Sequence, residues 1–130
     1  MKYQIALLLS FGLCATANAQ RIAQPSMDIV SIANQFIVSG VAAKKCSLID
    51  AATEQAFRTN FLAVSIRKIQ VLKERNPQLT DDQIAEQDKE STEQYRARAE
   101  QVISQYGCQS PAVQELIQRY KAQAAWKIGG

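Results

Sequence analysis

The sequence predicts an all-α protein: a small four-helix domain with a long central antiparallel hairpin and one disulfide, following a cleaved signal peptide. Three observations carry that expectation. Apolar residues recur at three- and four-residue steps in four stretches, these stretches are set apart by capping residues, Gly or Pro, and no run alternates at the two-residue period of a strand.

The chain begins MKYQIALLLSFGLCATANA, with Lys2, an apolar run from Ile5 to about Ala15, and small residues at Ala17 and Ala19. This is the layout of a secretory signal peptide over residues 1–19, cut after Ala19, and the apolar run is too short for a bilayer span. Residues 20–130 are then expected to form a single helical domain of about 110 residues, enough for one modest core. The periplasm is the expected compartment, with secretion as the variant. Of three cysteines, Cys14 leaves with the leader, and the remaining pair, Cys46 and Cys108, most simply join in an exported chain.

Each helix has its own signals. Ser26 offers a cap for the first, with Asp28 in its opening turn, Ile29, Ala33, Phe36, Ile37, Gly40 and Val41 on one face, and Lys44 and Lys45 at the dipole's negative end. Ser47 and Asp50 stand three apart like a capping box before the long run from Asp50 to Arg75, which contains no Gly or Pro. Phe57, Phe61, Val64, Val71 and Leu72 fall on one flank of that helix, and Leu62, Ile66 and Ile69 on an adjoining one, so it requires neighbours on two sides. Pro77 ends it near Arg75. In Leu79–Gln83, LTDDQ, Thr80 and Gln83 form a capping box, and Leu79 with Ile84 suits a hydrophobic staple. The third helix places Tyr95, Ala99, Val102, Ile103 and Tyr106 on one side and stops at Gly107. Ser110 and Pro111 open the last, predicted to Lys127, with Val113, Leu116, Ile117, Tyr120 and Ala124 as its apolar face and Trp126 finishing the core.

The second and third helices, about 26 residues and 39 Å each, are joined by a short turn and run antiparallel, which brings Cys46 and Cys108 together at the open end. Basic Arg67, Lys68, Lys73 and Arg75 then face acidic Asp81, Asp82, Glu86, Asp88 and Glu90 across the turn. The first and last helices, about 25 Å long, leave a projecting tip from about Arg67 to Glu90. Its apolar residues, Ile69, Val71, Leu72, Leu79 and Ile84, are the candidate partner surface.

Histidine is absent, which removes the commonest general base, the usual metal ligand and the Ser-His and Cys-His nucleophile pairs. No phosphate-cradling glycine loop, nucleophile elbow or zinc motif occurs, and the carboxylates at Asp82, Glu86 and Glu90 read as a solvated face. The expectation is therefore no enzyme, no catalytic or metal residues and no cofactor. A net charge of +3 gives no field suited to nucleic acid, and after Ala19 no stretch can anchor the chain stably in a membrane. What remains is an exported protein that binds another protein of unknown identity, as an inhibitor, immunity protein or complex subunit, and a homodimer is compatible with the same pattern. The LTDDQ segment also resembles the L-T-x-x-Q signature of the Spy and CpxP group of periplasmic helical stress chaperones, over five residues. That resemblance implies the alternative, a chaperone holding unfolded clients on its helical surfaces.

Overall fold

The computed structural model describes residues 27–128, which form four helices: α1 (Ile29–Cys46), α2 (Ala51–Arg75), α3 (Asp81–Tyr106) and α4 (Pro111–Ala124). The domain is all-helical, and Cys46 is bonded to Cys108 with their Cα atoms 5.3 Å apart. The expected signal peptide, residues 1–19, and the expected cap at Ser26 lie outside the described residues.

Local chemistry fixes each helix end. Thr80 and Gln83 complete the capping box at α3: the Thr80 Oγ1 accepts from the Gln83 backbone N–H, and the Gln83 Oε1 accepts from that of Thr80. Gly107 ends the same helix in the left-handed region, φ 79°, where any other residue is strained. Ser110 caps α4 and Pro111 occupies its first turn. Two caps differ from expectation. Asp28, not Ser26, caps α1, its carboxylate accepting from the Val30 N–H, and Asp50 alone caps α2 through the N–H and hydroxyl of Thr53, at 2.8 and 2.7 Å. Ser47 instead closes α1, its N–H bonding the Ala43 carbonyl. With only Leu48 and Ile49 between that closure and the Asp50 cap, Ser47 cannot serve the next helix.

The hairpin of α2 and α3 is present, but α1 is the helix at the centre. It packs against all three others, whereas α2 and α3 touch over a short stretch. Its buried residues, Ala33, Asn34, Phe36, Ile37, Ser39, Ala42 and Ala43, point in every direction around the axis. On one side Ala33, Phe36 and Ala43 join Phe57, Val64, Tyr120 and Ala124 from α2 and α4. On the other, Ala42 joins Val113 and Ile117, with Cys46, Val102, Ile103 and Leu116 packed alongside. Two apolar clusters thus share one helix. Helix α1 runs antiparallel to α2 and α4 and parallel to α3, because the disulfide joins the C-terminal ends of α1 and α3.

Two buried polar groups lock α4 in place. Ser39 Oγ donates to Gln123 Oε1, and Asn60 Nδ2 donates to the carbonyls of Gln123 and Trp126, at 2.8 and 2.9 Å. The carbonyls at a helix C-terminus have no partner within the helix, so Asn60 supplies what the last turn of α4 lacks. The helix therefore ends at Ala124, three residues before the sequence-based boundary at Lys127. Trp126 packs edge-on against Phe36 with ring centroids 5.3 Å apart and is 42% exposed.

The expectation that the first helix leaves the closed end of the hairpin uncovered is corrected. Asp28 at the start of α1 receives both terminal nitrogens of Arg75, at the end of α2, each at 3.0 Å. Crossing the turn, Lys73 meets Asp81 at 2.9 Å, and Lys68, 4% exposed, pairs with Asp88. Arg67 faces back to Glu74 on its own helix. The Asp28 carboxyl is held below the usual carboxylate range, chiefly by its hydrogen bonds to Arg75, and Asp50 below it by the Thr53 N–H. A carboxyl depressed in the folded state contributes stability above its unfolded pKa, near 4, and that contribution is lost as pH falls through the folded value. Asp28→Asn is accordingly expected to be less stable at neutral pH and to lose less on acidification. Urea titrations at pH 7 and pH 2.5 check this, and parallel losses in both proteins would contradict it.

Candidate functional site

The residues expected to form a partner surface do not lie together on the outside. Ile84 is 1% exposed and Val71 is also buried, while Ile69, Leu72 and Leu79 are half-buried. Val71 and Ile84 face inward, and the Lys68–Asp88 and Lys73–Asp81 pairs bridge the two helices across the turn.

Exposure is found instead further back along α2. At 100° per residue, Leu62, Ile66 and Ile69 share a sector of about 60°, nearly opposite Phe57, Asn60, Val64 and Val71, which face the core. Leu62 is 62% exposed and Ile66 53%, and Ile66 and Ile69 form an open depression of about 320 Å³ with Ser65, Gln70 and Lys73. Two cations bracket this stripe on the same face, Arg58 one turn before Leu62 and Lys73 one turn after Ile69. Arg58 approaches Glu54 at 3.9 Å and Lys73 is held by Asp81, so the rim is charged and the centre apolar. The two-flank pattern of α2 is visible in sequence. Which flank the other helices cover is decided by α1 and α4.

Single exposed apolar residues are ordinary, but a row of branched aliphatic side chains one helical turn apart is a surface that water solvates poorly. Covering this row would remove its apolar area from water. Among the described residues no group of three or more His, Cys, Asp or Glu side chains is placed to hold a metal ion. No helix of the described residues is long and apolar enough to cross a membrane. The acidic residues Asp82, Glu86 and Glu90 are exposed along α3.

No family model, curated protein or solved structure matches the chain. The site must therefore be read from its own geometry. The Thr80–Gln83 pair, which carries the resemblance to the chaperone signature, is engaged in capping α3 through both of its side chains.

Proposed function

We propose that this chain is an exported, periplasmic, non-enzymatic protein that binds another protein, as an inhibitor, immunity protein or complex subunit, through the outward face of α2. The observation that supports this is the solvent-facing row of Leu62, Ile66 and Ile69, opposite a flank that is already buried. A helix apolar on both sides is suited to a core on one side and a partner on the other. The disulfide agrees with an oxidising compartment. A leader over residues 1–19 would deliver the chain there.

The test is a pulldown of tagged protein at native expression, crosslinked in intact cells, with mass spectrometry of what it holds. One dominant partner is expected for the parent. The Leu62→Asp/Ile66→Asp protein should lose it, by at least tenfold in recovered partner, with an unchanged melting temperature. These side chains are more than half exposed, so replacing them removes little buried area. A spread of unrelated envelope proteins that grows under unfolding stress would instead favour the client-holding chaperone. Partner recovery indifferent to both substitutions would move the interface elsewhere.

A further inference from the structure

Because α1 lies between α2 and α3, these two helices stand apart at the disulfide end, and a groove of about 450 Å³ opens between them with α1 as its floor. Its volume is that of a small-molecule site. The floor is graded. Along α1 the buried Phe36 and Ile37 close one end, the partly exposed Gly40 and Val41 follow one turn on, and Lys44 and Lys45 stand at the other end, so the floor passes from apolar to cationic over about 13 Å. Phe57 and Phe61 of α2 wall the apolar end, and Arg96 and Glu100 of α3 stand opposite. A Cβ at Gly40 would lie 3.4 Å from the Phe57 ring, in ordinary contact with it.

The charges do not cancel. Glu100 reaches Lys45 at 3.7 Å, whereas among the described residues Lys44 and Arg96 form no ion pair. Lys44 stands at the negative end of the α1 dipole, and Arg96 stands on the exposed face of α3, one turn before Glu100. Two unpaired cations above an aromatic and aliphatic trough complement one kind of molecule, a single apolar chain ending in an anion.

We propose that this groove binds a long-chain carboxylate, its tail laid along Gly40, Val41 and Phe61 and its head group between Lys44 and Arg96. The site is separate from the Leu62–Ile69 face and does not depend on the protein-binding role. Laurate is the probe, added below its micellar concentration to the protein with its disulfide formed and followed by calorimetry and by amide NMR shifts. One saturable site is expected, with shifts centred on Phe36, Gly40, Lys44 and Arg96, and dodecanol should bind at least tenfold more weakly. Lys44→Glu/Arg96→Glu should weaken laurate at least tenfold, with a small fall in melting temperature from the acidic group placed at the C-terminal end of α1. If the reversal disturbs folding, Lys44→Gln/Arg96→Gln serves in its place, with a loss of at least threefold expected. Dodecanol binding as tightly as laurate, laurate binding indifferent to the charge changes, shifts centred on the Leu62–Ile69 face, or no saturable binding would each overturn the assignment.

Discussion

Phe36→Ala is expected to lower stability by about 4 kcal/mol, the middle of the range for removing a buried aromatic ring. Phe36 is fully buried, and its ring lies 5.1 Å from Phe57, 5.7 Å from Phe61 and 5.3 Å from Trp126, centroid to centroid. Phe57 in turn stacks on Tyr120 at 4.0 Å, so the cluster joins α1, α2, α4 and the segment after it. Truncation removes contacts with each of these at once, where an ordinary core residue serves two elements. Against a total of about 5–15 kcal/mol for a domain, the loss is roughly a quarter to four-fifths of what is available. The melting temperature should fall by roughly 15–30 °C. Phe36→Leu, which keeps most of the volume, should cost no more than about 1.5 kcal/mol. Urea unfolding of the three proteins measures this. A loss below about 1 kcal/mol in the alanine variant would mean that α1 is not the hub of the packing.

Removing the disulfide by Cys46→Ser/Cys108→Ser should cost a similar amount for a different reason. The bond closes a loop of 62 residues, and the chain-entropy relation gives about 4 kcal/mol for that length, acting on the unfolded chain more than on native contacts. The two losses can be distinguished in the same experiment. Phe36→Ala should shift the urea midpoint at constant slope, whereas loss of the bond frees a more expanded unfolded chain and should raise the slope as the midpoint falls. An unchanged slope would place the stabilisation in the folded state.

The elements themselves are legible in the chain. Pro77, the Thr80 capping box, Gly107 and the Ser110-Pro111 pair are local signals, and local hydrogen bonding decides helix ends. The pairing of Cys46 with Cys108 follows from two long helices of nearly equal length joined by a short turn. Less legible is which helix sits in the middle. Length favours α2, yet Ile29–Ala43 contains no charged residue at all, the mark of a helix surrounded on every side. By contrast α2 and α3 carry charges throughout, as helices with a solvent face must. The outward stripe was only half visible for a related reason. Periodicity assigns Leu62, Ile66 and Ile69 to one flank of α2, but α1 and α4 both pack on the other, and nothing within α2 records their choice. The tip residues Val71 and Ile84 show the same limit, since their burial is set by how the helices pack and not by the pattern of either helix alone.

The central position of α1 has a consequence for how the chain comes into being. The helix on which the rest is assembled is the first of the four described helices to be synthesised, and its last covering element, α4, follows about 80 residues later. At ordinary rates of synthesis that interval is roughly 4–16 s, long compared with the microseconds in which a helix forms. Throughout it an uncharged segment, sticky on every side, has no native surface to meet, and its cysteine has no partner until residue 108 has emerged. The nascent chain is therefore most exposed to misassociation over Ile29–Ala43, and anything that shields that segment during the wait acts on yield without touching the stability of the finished fold.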